Sequence, residues 1–350
     1  MSSTKLTSDA LVRRLQDLFC RERLSLDIVS GRASRVFSRR MGEALPRYLR
    51  PRGIDVTLRE LRDARVPSDA DIVLLQCHVC REEPAYLTAL RDSGYAGVIV
   101  GWFWDNHHVK DANRRVGTLV DAAIAAHDCH AAYLAETSML LRSVMLCVAQ
   151  WTADEAAAYW ASLARPAGRR SDLYGGFSHY KGSARSVYLE QLIATEQYPA
   201  LRFVNSGERP GPGYFELTSE ARFREWARYA VSLCLPYRND LSSRFFDAWL
   251  TGQITVVTPD IAELSSTWAV EHRDRDFVCA SSYERADVDD AHRRALDLFK
   301  TGGVEGQNER HELVLSRHLF HHRIELIVDL LRQAAEYGLE RVMHAQASCP

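Results

Sequence analysis

The sequence lacks an apolar run long enough to cross a membrane, and it lacks an excess of positive charge. A spanning helix needs about 20 consecutive apolar residues, and charged residues interrupt the apolar stretches of this chain well before that length. The formal net charge of the 350 residues is -2, which argues against a general nucleic-acid-binding surface. We therefore expect no transmembrane segment and no nucleic-acid partner.

The sequence also lacks the frameworks that cysteines build. Eight cysteines are present, but several, such as Cys147 and Cys234, lie in apolar runs typical of buried thiols in a reducing compartment. The segment Cys77–Cys80, CHVC, has a metal-like spacing, yet no second CxxC completes a zinc site. The first residues are polar and then amphipathic, unlike a signal peptide. We expect a cytoplasmic protein without a metal site.

The common nucleotide and hydrolase fingerprints are absent as well. Neither GxxxxGK[ST] nor GxGxxG occurs, and Gly207, Gly211 and Gly213 stand among prolines in a different order. No GxSxG elbow of a serine hydrolase is present. The usual support for a kinase, an ATPase, an NAD-dependent dehydrogenase or a serine hydrolase is therefore missing.

What the sequence contains is an alternation of strand-like and helix-like segments. Buried strand patterns at 71–77 and 96–104 alternate with helix patterns such as 36–49 and 83–91, and the alternation restarts at 172–177. Such a pattern predicts parallel sheets with helices on both faces. A chain of this length favours two domains, so we predict an α/β fold with two Rossmann-like domains.

The domain boundaries follow from composition. The stretch 165–171, RPAGRRS, is typical of a hinge. We therefore predict a first domain at 1–165, a second at 171–310 and a helical segment at 311–350, in which one long amphipathic helix runs from 311 to 337. Further predicted elements are a helix at 116–126 and weaker strands at 131–136 and 145–149.

Polar residues follow several of the predicted strands. In open parallel sheets, ligands bind outside the carboxyl ends of the strands. This rule places Gly31–Ser34, His78 and Asp105–His108 on one edge of the first sheet. In the second half, basic and hydroxyl residues open two helices that follow strands, at 181–185 and 242–244. Two such helix starts on one crevice suit a diphosphate group.

The stretch from Leu235 to Val257, LPYRNDLSSRFFDAWLTGQITVV, resembles the donor-binding segment of group 1-type glycosyltransferases of the GT-B fold. In that family a loop leads to small or hydroxyl residues, then to an acidic residue inside a helix and a glycine before a strand. Asp247, Ala248 and Gly252 match this spacing. The resemblance implies a GT-B-like fold: two Rossmann-like domains with parallel sheets, a cleft between them, and a C-terminal helix crossing back. It places the acceptor side on the first domain and the nucleotide-sugar on the second.

The resemblance also implies roles for the polar residues of the second half. Ser242, Ser243 and Arg244 would meet the donor phosphates, and Asp247 would contact the ribose or the sugar. Lys181 and Arg185 would offset charge on the leaving diphosphate, because a metal is usually not required in this fold. The nucleotide-sugar is a substrate, and no cofactor is implied. The complete predicted donor set is Lys181, Ser183, Arg185, Tyr237, Arg238, Asn239, Ser242, Ser243, Arg244 and Asp247.

The stereochemistry of transfer stays open. Many retaining members of the family carry a Glu-x(7)-Glu pair, whereas here Asp247 has Asn239, not an acid, at that distance. An inverting enzyme needs a base for the acceptor hydroxyl. Our candidates, on the edge of the first domain, are Asp105, His78 and His107, each of which also fits an ordinary turn or loop position.

The predicted function is metal-independent transfer of a sugar from a nucleotide-sugar to a glycan, lipid-linked or protein acceptor. Two alternatives remain open. One is a sugar-nucleotide epimerase of the same fold, and the other is a catalytically inactive GT-B-like scaffold in surface-polysaccharide assembly.

Overall fold

The computed structural model describes residues 5–31, 35–61, 68–78, 82–104, 109–163, 168–206, 209–210 and 217–343. The chain divides into two compact units. The first unit comprises Met1–Leu146 and Phe320–Pro350, and the second comprises Cys147–Leu319.

The α-helices alternate with strands along most of the chain. They are α1 (Ser8–Phe19), α2 (Arg35–Leu49), α3 (Glu83–Asp92), α4 (Lys110–Gly117), α5 (Ala153–Ser162), α6 (Ala184–Ala194), α7 (Ser219–Ala227), α8 (Arg244–Leu250), α9 (Thr267–His272), α10 (Arg285–Arg317) and α11 (Phe320–Tyr337). Within the described residues, no helix is both long and apolar enough to span a membrane.

The sheet of the first unit is parallel, with strand order β2-β1-β3-β4-β5-β6. Its strands are β1 (Leu24–Ser30), β2 (Ile54–Glu60), β3 (Ile72–Cys77), β4 (Val98–Phe103), β5 (Ala122–Ala125) and β6 (Met139–Leu140). Every residue of β3, β4 and β5 is buried. Strands that are buried on both faces form continuous apolar runs in the sequence. For this reason β3 and β4 can be predicted from the sequence.

A buried carboxylate joins three parts of the first unit. Asp121 accepts hydrogen bonds from the backbone N–H of Leu6 at 2.9 Å and of Ile99 at 2.8 Å. It also pairs with Arg91 at 2.6 Å. Since a buried charge is tolerated only when it is paired and hydrogen-bonded, this set has a structural role beneath the sheet.

The sheet of the second unit has the order β12-β11-β10-β7-β8-β9. Its strands are β7 (Arg170–His179), β8 (Leu201–Ser206), β9 (Arg209–Pro210), β10 (Tyr229–Cys234), β11 (Ile254–Val257) and β12 (Phe277–Cys279). All pairings are parallel except that of the two-residue β9 with β8. The predicted fold class, with a parallel α/β sheet in each half, is confirmed.

Some element predictions were wrong. The segment predicted as a helix at 116–126 contains the end of α4 and the strand β5. Its alanines favour a helix locally, but burial inside the sheet decides the outcome. The predicted strand at 131–136 is a 3-10 turn, Ala132–Glu136, and 145–149 forms no strand.

The predicted helix at 311–337 is two helices. The first, α10, spans Arg285–Arg317 and is interrupted at Gly303, which has φ 53 and ψ -144. The chain leaves helical geometry again at His318, with φ -125 and ψ 31. The second, α11, belongs to the first unit, where it contacts α1 and α2. The C-terminal helix thus returns to the first unit, as the sequence predicted.

Candidate functional site

The two basic turns of the second unit meet at the carboxyl half of β7. Arg185, in the first turn of α6, donates from Nη2 to the carbonyl of Ser178 at 3.1 Å. Arg244, the first residue of α8, donates from Nε to the carbonyl of Gly176. Two segments about 60 residues apart in sequence are therefore anchored on one strand, at the edge where parallel sheets bind ligands.

Aromatic rings surround the two guanidinium groups. Arg185 lies over the rings of Tyr180 and Tyr237, at 5.1 and 5.3 Å from their centroids. Those two rings are 4.8 Å apart, and Arg244 lies 5.5 Å from the Phe177 ring. Contacts of this kind hold a cation in place without neutralising its charge.

The electrostatics of the arginine pair favour an anion. Burial lowers the pKa of Arg185, and the neighbouring positive charge of Arg244 lowers it further. Among the described residues, no carboxylate lies within ion-pair distance of either guanidinium, and Arg185 Nε is buried without a hydrogen-bond partner. An anion between them relieves the repulsion and supplies charge-assisted hydrogen bonds.

The serine hydroxyls of the predicted set order the turns. Ser183 is the N-cap of α6 and accepts from the N–H of Ser186 at 3.1 Å. Ser242 Oγ accepts from Arg244 Nη1 at 3.2 Å. Ser243 precedes α8 but makes no side-chain capping bond. The positive charge of this region comes from Arg185 and Arg244, because α8 has only seven residues.

The loop before α8 is held by its own aspartate. Asp240 accepts from the N–H groups of Tyr237 and Arg238 at 2.7 and 3.0 Å. This turn places Asn239 in the left-handed region, with φ 64, which asparagine tolerates well. The side chains of Arg238, Asn239 and Lys181 are exposed, so they are accessible to a ligand at this edge.

Asp247 lies inside the unit. Its side chain is 2% exposed, and its two oxygens accept from the backbone N–H and Nε2 of Gln150, at 2.8 and 2.9 Å. Burial raises the pKa of Asp247 to about 7 although these hydrogen bonds act to lower it. The carboxylate therefore ties α8 to the segment preceding α5.

Of the three candidate base residues in the first unit, the structure describes His78. His78 follows β3, is half-buried and has its ring 6.2 Å from that of Trp104. Asp105 and His107 lie outside the described residues. Within the described ranges, no group of three or more His, Cys, Asp or Glu side chains is arranged to hold a metal ion.

Known structures share this arrangement of two parallel sheets with their helices. A sucrose-phosphate synthase from Thermosynechococcus elongatus aligns with a TM-score of 0.54 and 11% identity, over 89% of this chain and 99% of its own. An alpha-glucosyltransferase in complex with UDP and DNA aligns with a TM-score of 0.52 and 10% identity, over 88% and 99%. The chain has a GT-B fold. No protein-family model and no curated protein sequence matches it.

In this GT-B chain, sequence reasoning missed two residues at the candidate site. Tyr180 was not among the predicted residues, although it stands beside Lys181 and stacks with Arg185. Gln150, the partner of Asp247, is 97 residues away in sequence. Tyr180 could have been found from the sequence, because it is an aromatic residue next to a basic turn. Gln150 could not, because no sequence spacing relates it to Asp247.

Proposed function

We propose that the protein is a glycosyltransferase that moves a sugar from a nucleotide-sugar donor to a glycan, lipid-linked or protein acceptor. The observation that carries this proposal is the pair of Arg185 and Arg244, two cations without an acidic partner in the described chain, at the carboxyl edge of β7. The GT-B fold supports it, as does the alpha-glucosyltransferase of the same fold that was solved with UDP.

The arginine pair suits the chemistry of the leaving group. As the glycosidic bond to the nucleotide breaks, negative charge develops on the departing diphosphate. Preorganised cations in a partly dry site stabilise this charge more strongly than water does. Arg185 and Arg244 supply two positive charges there, and the exposed Lys181 adds a third nearby. We propose that these residues make a metal ion unnecessary.

The other predicted donor residues take supporting parts. Ser183, Ser242 and Ser243 are close to the arginines and offer hydroxyls to phosphate oxygens. Tyr237, Arg238 and Asn239 belong to the same turn, and the side chains of Arg238 and Asn239 are exposed. Asp247 acts as a positioning residue, because its carboxylate is engaged by Gln150.

For an inverting transfer, we propose that the base comes from the first unit. His78 follows β3 at the carboxyl edge of that sheet, and Asp105 and His107 remain candidates from the sequence. A histidine or an aspartate accepts the proton of an acceptor hydroxyl only when it lies within hydrogen-bond reach. Comparing the reaction rates of His78→Gln, Asp105→Asn and His107→Gln variants distinguishes these residues.

We further propose a cytoplasmic location and a non-nucleic-acid acceptor. The buried cysteines Cys77, Cys147 and Cys234 suit a reducing compartment. One neighbour of the same fold binds DNA, but the net charge of -2 in this chain gives little attraction for phosphate backbones.

A donor assay tests the proposal. The protein is incubated with a panel of nucleotide-sugars, with and without saccharide, lipid-linked and peptide acceptors, and the sugar products are identified. A transferase consumes a donor and labels an acceptor. Conversion of the donor sugar without an acceptor would identify an epimerase instead. If no donor is bound or altered, the scaffold alternative replaces the proposal.

A further inference from the structure

A cavity of about 170 Å³ lies in the second unit, away from the arginine pair. Trp160 of α5, Arg169 and the α10 residues Gln307 and Asn308 line it. Arg169 immediately precedes β7, whereas Gly176, whose carbonyl holds Arg244, is the seventh residue of that strand. At about 3.3 Å per residue these two positions are roughly 20 Å apart. The cavity therefore opens at the amino edge of the sheet.

Arg169 brings a positive charge into this cavity without an acidic partner. Its Nη1 donates to the carbonyls of Thr251 and Tyr229, at 2.6 and 3.3 Å. Its Nε is buried without a hydrogen-bond partner, and no carboxylate of the described chain lies within ion-pair distance. Burial, together with the nearby Arg310, lowers the pKa of Arg169 to about 9. The side chain therefore stays protonated at neutral pH.

The surroundings add positive charge. Arg310, 2% exposed, donates to the carbonyl of Gly252 at 3.0 Å and lies 3.4 Å from Asp276. Asp276 also accepts from Arg275 and His272, both at 2.7 Å. One carboxylate thus serves several basic groups, and the cation of Arg169 is left uncompensated.

The walls define the size and shape of a ligand. The Arg169 guanidinium lies 5.9 Å from the ring of Trp160, which stacks on His311 at 4.3 Å. The Asn308 amide makes no hydrogen bond to another described residue and is exposed at the rim. The cavity is large enough to hold several waters. That volume is sufficient for a small ion.

We propose that this cavity binds a small oxyanion through Arg169, with the Asn308 amide as a second donor. Inorganic phosphate and small carboxylates both fit this description, because each carries a compact group of negatively charged oxygens. The Trp160 ring offers an apolar wall to any short carbon chain attached to the anion. This site is separate from the arginine pair and does not depend on the proposed glycosyl transfer.

Thermal unfolding in the presence of anions tests the proposal. The background protein carries Arg185→Gln and Arg244→Gln, so that anions cannot act through the candidate donor site. Inorganic phosphate and acetate are titrated separately, with sodium chloride keeping the ionic strength constant. Binding to the folded state raises the midpoint by mass action, and we expect a rise of about 3 °C with at least one of the two anions.

Three further substitutions, Asn308→Asp, Arg169→Gln and the control Arg170→Gln, locate the effect. Asn308→Asp places a negative charge at the exposed rim while Arg169 keeps its bonds to the end of α8, and we expect it to abolish the rise. Arg170→Gln is the matched control, because Arg170 is exposed and paired with Asp172, and we expect the rise to persist. The proposal fails if neither anion acts beyond chloride, or if Asn308→Asp and Arg169→Gln both leave the rise intact.

Discussion

At the scale of single residues, Arg185 and Arg244 show a conflict between stability and ligand binding. Two like charges are held against one strand, and Arg185 Nε is buried without an acceptor among the described residues. Groups arranged in this way cost folding free energy, and such costs are typical of functional sites. This cost supports the proposal that the arginine pair binds an anionic ligand.

We expect Arg185→Gln to leave the free energy of unfolding unchanged or to raise it by up to about 1 kcal/mol, since the substitution removes a like-charge contact. Denaturant titration measures this change. Arg202→Gln, which breaks an exposed ion pair with Glu225, is the control and should change stability by less than about 0.5 kcal/mol. A loss above about 2 kcal/mol in Arg185→Gln would show that the arginine is mainly structural.

Asp247 makes a second residue-scale prediction, on pH dependence. Its pKa rises from an ordinary 3.8 to about 7 because the carboxyl group is buried. The folded state therefore holds the proton more tightly than the unfolded state does. The stabilising contribution is complete below about pH 4 and is lost as the pH rises through about 7. We expect Asp247→Asn to lack this loss, so its stability relative to wild type should increase from pH 4 to pH 7 in urea titrations. A constant difference across that range would contradict the assignment.

At the scale of elements, Gly252 connects α8 to β11 at a crowded position. It has φ +78, and a Cβ placed there would lie 2.8 Å from Trp160 Cη2 and 3.1 Å from Arg169 Nη2. Gly182 has a similar φ of +73, but a Cβ placed there would have no heavy atom of the described residues within 4 Å. Alanine substitutions at the two positions therefore distinguish the cost of backbone strain from the cost of steric crowding.

We expect Gly182→Ala to cost about 1 kcal/mol of unfolding free energy, because only the left-handed backbone is penalised. Gly252→Ala should cost about 3 kcal/mol, since crowding against two large side chains adds to the same strain. Both values are measured by urea titration. Equal losses of unfolding free energy in the two variants would show that Trp160 and Arg169 move to accommodate the added methyl group without lowering stability.

Local chemistry explains which elements the sequence predicted. The strands β3 and β4 were both predicted, because strands that are buried on both faces form continuous apolar runs in the sequence. The strand β5 was missed because its alanines favour a helix and only its place in the sheet makes it extended. The break at His318 was missed because apolar spacing continues across it from α10 into α11.

At the scale of the whole molecule, buried histidines should make the protein sensitive to acid. Burial lowers the pKa of His311 in the second unit to about 4. In the first unit, burial and the neighbouring Arg323 lower that of His322 to about 4, and burial and His322 lower that of His321 to about 3. These folded-state values lie below the ordinary 6.5. Stability is therefore complete above about pH 6.5 and is lost as the pH falls towards 4.

As the pH falls from about 7 to 5, the three histidines lower the free energy of unfolding and Asp247 raises it. The combined effect of the histidines is the larger of the two. We expect the wild-type protein to lose on the order of 2 kcal/mol of unfolding free energy between about pH 7 and pH 5. In His311→Gln, whose amide can still donate to the Leu250 carbonyl now held by Nδ1 at 2.6 Å, the loss should be smaller. An identical loss in that variant would exclude His311 as a contributor.

The sequence predicted where the turns of the candidate site lie, but not how its charged side chains are buried and paired. The rule that ligands bind at the carboxyl edge of a parallel sheet predicted that the turns of Arg185 and Arg244 face one crevice. The sequence could not show that Asp247 is enclosed by Gln150, or that Arg169 enters a cavity, because both depend on contacts between distant segments. Burial and pairing of charges are properties of the packed fold, and local patterns do not encode them.

The most direct test of the account is a calorimetric titration of the full-length protein with UDP. We predict measurable binding by wild type, at least tenfold weaker binding by Arg244→Gln, and unchanged binding by Arg202→Gln. A tenfold loss corresponds to about 1.4 kcal/mol, which is at the lower end for a hydrogen bond to a charged group. Because the nucleobase is not fixed by the arginines, the other nucleoside diphosphates are titrated in parallel. If none of them binds, or if Arg244→Gln binds as tightly as wild type, the assignment of this edge as a diphosphate site is wrong.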